Sequence, residues 1–165
     1  LGWVFGRVVW NQNVQPHPWI EWIDADNGMC LFENGRQSSI LFWDTYEEDK
    51  GDTVFRLFQE HTPGQIEYQL YKGTEGNVGF AVDFSQHECA KHLMEIEGLQ
   101  DGTILKTGAE APTAHMLANY HPKRQWRHDT LLRYYSTSDV ARGAQIFEDI
   151  DHNWSQLQHL SLIHI

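Results

Sequence analysis

A chain of 165 residues that is 41% apolar can enclose one real core and is short for two domains. Its 12 Lys and Arg against 23 Asp and Glu give a formal net charge of −11, which argues against a partner with a phosphate backbone and so against DNA or RNA. Two cysteines, Cys30 and Cys89, allow at most one disulfide, lack zinc-type pairing and are expected as buried thiols, and no run of about 18 apolar residues offers a membrane-spanning helix.

Leu1 stands where an initiator Met would be and runs almost directly into the strand-like Trp3-Val4-Phe5, so the first strand is expected to have lost its beginning and a secretory signal is not observable. Strand-like runs follow at 3–10, 19–24, 39–43, 53–59, 65–71, 78–84, 103–106, 130–135 and 145–151. The clearest are 65–71, where Ile66, Tyr68 and Leu70 alternate with Glu67 and Gln69, and 78–84, where Val78, Phe80, Val82 and Phe84 recur at every second position. Between the runs lie turn signals: Asn11-Gln12-Asn13, Asp26-Asn27-Gly28, Asn34-Gly35, and the stretches 60–64 and 73–77.

One segment breaks the pattern. Ser85-Gln86-His87-Glu88 reads as a capping box, Cys89, Ala90, Leu93 and Met94 follow at helical spacing, and Gly98 suits a terminator, which predicts a short helix near 86–97. The stretch 101–125 is rich in Gly, Ala, Pro and Thr and reads as a long irregular connection. Together these features predict a mainly β protein, an antiparallel two-sheet β-sandwich, over 1–159. The last six residues, 160–165, resemble a translated library-adapter sequence and are expected to lie outside the domain.

Several pieces in order carry a family resemblance. The opening aromatic strand, Trp3-Val4-Phe5 with Trp10-Asn11, precedes Trp19-Ile20-Glu21-Trp22-Ile23-Asp24-Ala25-Asp26-Asn27-Gly28. A hairpin over Gly51 to Leu57 and Ile66 to Gly73 follows, and Tyr134 to Ser138 with Gly143 to Ile150 would form a closing Asp-bearing strand before Trp154 and Leu157. This order resembles the laminin-G-like branch of the concanavalin A-like lectin/glucanase superfamily, although Ala25 and Asp26 stand where that family commonly has Phe and Gly, and the middle from His87 to Pro122 lacks its usual Trp-x-His strand. The resemblance implies a jelly roll that binds glycans or extracellular proteins through rim loops, sometimes with calcium, as one module of a larger secreted or surface protein.

Within that frame, Asp24, Asp26 and Asn27 offer three oxygen-bearing side chains on one turn and are the candidate calcium ligands, with Asp52 as a weaker addition; a turn also favours Asp, Asn and Gly for its own geometry. Lys123, Arg124, Trp126 and Arg127 gather cations and a ring in an otherwise acidic chain and are the candidate ligand contacts, suited to carboxylated or sulfated sugars; the competing reading is a solvated face paired with surface carboxylates. Of the seven tryptophans, Trp3, Trp22 and Trp43 are expected in the core. Glu21 and Asp24 would face opposite sides of a strand, which fails the geometry of a glycosidase pair. His87, Cys89 and His92 lack a second ligand pair for zinc, and no nucleophile elbow or phosphate loop is present. The expectation is therefore a noncatalytic module for carbohydrate or an extracellular protein, with a glycoside hydrolase or lyase, or a purely structural interaction domain, as the alternatives.

Overall fold

Among the described residues the alternating runs become nine strands in two antiparallel sheets. The computed structural model describes residues 2–11, 14–47, 52–96, 99, 103–119 and 122–163. In chain order the strands are β1 (Trp3–Val9), β2 (Trp19–Ile23), β3 (Gly28–Glu33), β4 (Arg36–Glu47), β5 (Val54–Thr62), β6 (Gln65–Thr74), β7 (Asn77–Val82), β8 (Ile104–Lys106) and β9 (Ala114–Ala118). The smaller sheet has the order β2-β1-β9; the larger is β3-β4-β5-β6-β7, with β8 pairing the first residues of β6. The chain divides into two compact units, Val4–Leu117 and Leu1–Trp3 with Ala118–Ile165.

In the unit Val4–Leu117 the two-residue period sends one set of side chains inward. Cys30, Ile40, His61 and Ile66 lie in one cross-strand row of the larger sheet, and Phe42 stands opposite Gly28 and Gln59 in the next. Phe5 of β1, 0% exposed, meets the Phe42 ring edge-on at 5.6 Å, and Phe42 meets His61 at 5.4 Å. Arg7 crosses between the sheets: its Nε donates to Glu21 Oε2 at 2.7 Å, its Nη1 donates to Gln59 Oε1, and Gln59 Nε2 donates to Tyr68 Oη at 2.9 Å. Gln37 holds β9 by its backbone, donating to Met116 O at 2.8 Å and accepting from Met116 N at 2.9 Å. Arg7, Gln59 and Gln37 are thus each paired where they enter the interior, as burial requires.

The rest of that inner face is Phe55, Leu57, Ile66, Tyr68 and Leu70, and it is covered by the segment the capping-box pattern marks. That segment is three short pieces: a 3-10 turn Phe84–Gln86, the helix α1 (Glu88–Lys91) and a 3-10 turn His92–Glu95. Ala90 and Leu93 are buried against the sheet while Met94 is exposed. The cap is His87 rather than Ser85. Its Nδ1 accepts from Cys89 N at 3.2 Å and its ring stacks on Phe55 at 4.6 Å, so a ring that both packs and accepts displaces the serine. Gly98, the expected terminator, lies outside the described residues.

Several expectations change. β3 follows the Asp26-Asn27-Gly28 turn at once, and β9 lies within the stretch read as irregular. The run 130–135 holds turns rather than a strand, and 145–151 belongs to a helix, α2 (Asp139–Ile163), which also includes 160–163. Ile146, Ile150 and Trp154 recur every fourth residue, which is helical spacing. The Asp-bearing closing strand is therefore not formed. Trp22, expected in the core, is 59% exposed because it shares the outward face of the smaller sheet with Ile20 and Val8.

In the other unit, Ser136 is buried and its Oγ donates to Gly2 O and accepts from Asn119 N at 2.8 Å. Trp3 packs edge-on against Tyr135 at 4.8 Å and Trp126 at 6.3 Å.

Candidate functional site

Because Ile66, Tyr68 and Leu70 point inward, Glu67, Gln69 and Tyr71 share the opposite face of β6. The same rule turns Phe58 and Glu60 outward on β5, and Leu41 and Trp43 outward on β4. Register then sets the rows: Leu41, Glu60 and Glu67 lie side by side, as do Trp43, Phe58 and Gln69. The result is an open groove of about 300 Å³ lined by Leu41, Phe58, Glu60, Glu67, Gln69, Tyr71 and Val78.

Its polar side chains are already ordered. Tyr71 Oη donates to Gln69 Oε1 at 2.9 Å, and Gln69 Nε2 donates to Glu67 Oε1 at 2.6 Å. The Tyr71 ring meets Phe58 edge-to-face at 5.4 Å, which fixes the phenol end of this chain. Arg56 is diverted from the groove: its guanidinium donates to the carbonyls of Thr74, Glu75 and Asn77 at 2.9, 2.8 and 3.1 Å and secures the β6–β7 hairpin. Among the described residues the ion pairs are Arg7–Glu21 and Lys91–Glu88, so neither groove glutamate has one. A half-buried strip of carboxylate, amide and phenol beside two rings offers directed hydrogen bonds and flat apolar surface together.

The residues singled out from sequence lie elsewhere. Asp24, Asp26 and Asn27 are exposed at the 3-10 turn Ala25–Asn27, where Asn27 N donates to Asp24 O at 3.1 Å. Among the described residues no three His, Cys, Asp or Glu side chains gather at metal-binding distance. Asp52 is exposed. Lys123, Arg124, Trp126 and Arg127 do come together, about the 3-10 turn Arg124–Trp126. Lys123 Nζ lies 4.5 Å from the Trp126 ring centroid, and Arg127 Nε donates to His128 Nε2 at 2.9 Å, so a chain cation already occupies a face of that ring.

Glu21 is engaged by Arg7, and Cys30 and Cys89 are thiols. Burial pushes the Cys30 thiol up to about 12, which makes it a poor nucleophile at neutral pH. The groove was present in the sequence as the polar half of the 65–71 alternation. A polar strand face reads as plain solvent exposure until its neighbours are known, and so Glu60, Glu67, Gln69 and Tyr71 carry no motif. Neither a scan against protein-family models nor a search of curated proteins returns a match to this chain.

Proposed function

We propose that this chain is a noncatalytic recognition module that binds carbohydrate across the outer face of its larger sheet. The observation that carries the reading is the hydrogen-bonded row Tyr71–Gln69–Glu67 lying beside Phe58 in an open groove. Sugars present hydroxyls that both donate and accept around apolar C–H faces, and this row matches both: Glu67 accepts, Gln69 and Tyr71 do either, and the rings of Tyr71 and Phe58 supply flat surface. A row held in place before binding loses little side-chain freedom on binding, which favours affinity from a small site. The resemblance to laminin-G-like domains points to the same class of ligand and to an extracellular or cell-surface setting, with contact moved from the rim loops to the sheet face. Binding of the purified chain to a glycan array tests the proposal. Retention of specific glycans that Tyr71→Ala abolishes, with thermal stability kept, supports it; no glycan retained at millimolar concentration ends it.

A second reading, a glycoside hydrolase, has one observation in its favour. Glu60 and Glu67 are directly opposite across β5 and β6, which places their β carbons about 4.5–5.5 Å apart and allows the roughly 5–5.5 Å carboxyl spacing of retaining enzymes. Release of reducing sugar that disappears in Glu60→Gln would establish this reading, whereas binding without turnover would establish the first.

A further inference from the structure

We infer that the groove selects glycans whose hexosamine units carry a free, protonated amine, in preference to N-acetylated, neutral or sulfated chains. The inference rests on the carbohydrate reading above and adds the charge of the sugar to it. Glu60 and Glu67 stand opposite each other on adjacent strands, both half-buried, and both line the groove. Like charges directly opposite on a sheet repel, and the usual remedy is a neighbouring cation. Among the described residues this groove has none in its lining. Arg56, which shares the outward face of β5, is committed to three carbonyls of the β6–β7 hairpin. Lys106 is opposite Gln65 and diagonal to Glu67 on the same face, is exposed, and forms no ion pair within 4.0 Å among the described residues.

The missing countercharge is the feature a ligand can supply. Glu67 has one oxygen taken by Gln69, which leaves its other oxygen and both oxygens of Glu60 as acceptors. An ammonium carries three donors and one positive charge, so it can bridge the two carboxylates with charge-assisted hydrogen bonds. The Phe58 and Tyr71 rings add faces that attract a cation and cover the sugar's C–H surface. Acetylation of the amine removes both its charge and two of its donors, and a sulfate or carboxylate on the sugar would add to the repulsion that the groove already holds.

Calorimetric titration of the full chain at pH 5.5 with four oligosaccharides of equal length tests this: glucosamine, N-acetylglucosamine, cellulose-type and heparin oligomers. The glucosamine oligomer is expected to bind at least tenfold more tightly than the other three, with affinity falling as salt rises. Glu60→Gln is expected to remove most of that preference. The same change relieves the repulsion between the glutamates, so its melting temperature should match or exceed the parent's; Glu67→Gln provides a second variant if it does not. Equal affinity for the amine and N-acetyl forms, or preference for heparin, would overturn the inference and leave the carbohydrate reading standing. Failure of all four to bind would overturn both. Binding of a lysine-rich peptide but not of the glucosamine oligomer would assign the cation site to protein instead and overturn the inference.

Discussion

Phe5 lies so close to Gly28 that a β carbon on Gly28 would sit 2.8 Å from two carbons of the Phe5 ring, and 3.0 Å from the ring of Phe42. Gly28 is extended, with φ −153°, so its need for glycine comes from the approach of the two sheets and owes nothing to an unusual backbone. Gly28→Ala should therefore push apart the pair of rings at the centre of the sandwich. Overpacking of this kind costs about 1–3 kcal/mol. Thermal denaturation should show a fall of several degrees, and an unchanged melting temperature would mean that the sheets are farther apart than described.

Leu70 and Phe80 give a paired test of where the interior ends. Leu70 is 1% exposed among Leu57, Ile66, Ala90 and Leu93, whereas Phe80, on the edge strand β7, is 67% exposed. Leu70→Ala should cost about 3–5 kcal/mol through lost burial and a residual cavity. Phe80→Ala should stay within about 0.5 kcal/mol, as surface changes away from special features do. Urea titration of both variants distinguishes them, and comparable costs would contradict the assigned faces.

How far the fold could be read ahead depended on how local its cause was. The alternation in 65–71 and the Asn34-Gly35 turn, both of whose residues have positive φ, needed only neighbouring residues to be legible. β3 was hidden because Gly28-Met29-Cys30-Leu31-Phe32 is nearly continuous in apolar residues, and β9 because a short Ala-His-Met-Leu run follows Pro and Thr. The groove was lost at one boundary. With a turn drawn over 60–64, Glu60 leaves the strand, but the strands run on to Thr62 and from Gln65, and Pro63-Gly64 alone makes the hairpin, with Gly64 at φ +82°. Those added residues of pairing are what bring Glu60 opposite Glu67. The order of the strands, and hence which outward residues become neighbours, rests on long-range pairing that no local pattern encodes.

Tyr71→Phe probes the ordering of the groove separately from its surface. The change keeps the ring against Phe58 and deletes only the donor that holds Gln69. One net hydrogen bond is worth about 1 kcal/mol, so ligand affinity should drop roughly fivefold by calorimetry, with a less favourable entropy as the Gln69 amide gains freedom. Stability should barely change, since Tyr71 is only half-buried and its ring contact with Phe58 is kept. A loss of affinity as large as that of Tyr71→Ala would show that the phenol contacts ligand directly.

His61 makes the interior sensitive to acid. It is 0% exposed, its Nδ1 lies 2.8 Å from Thr113 Oγ1, and its Nε2 has no hydrogen-bond partner among the described residues. Burial, reinforced by the positive charge of Arg7, lowers its pKa from 6.5 to about 4. Cys30 on β3 and Tyr68 on β6 share this inner face, and both are pushed upward by burial and so neutral in the acid range. The unfolded chain takes up a proton on His61 near pH 6.5 while the folded chain resists until about pH 4, so the unfolded state binds more protons throughout that window. Stability from this group is complete above pH 6.5, declines as pH falls toward 4, and declines no further below it. The span corresponds to a loss on the order of 3 kcal/mol. His61→Phe keeps a ring against Phe42 and cannot take up the proton. Urea unfolding at pH 7 and pH 4.5 should show a smaller drop for this variant than for the parent, even if Thr113 loses a partner and the variant starts lower. Equal drops in the two proteins would show that acid sensitivity resides in the carboxylates and that His61 does not stay neutral by burial.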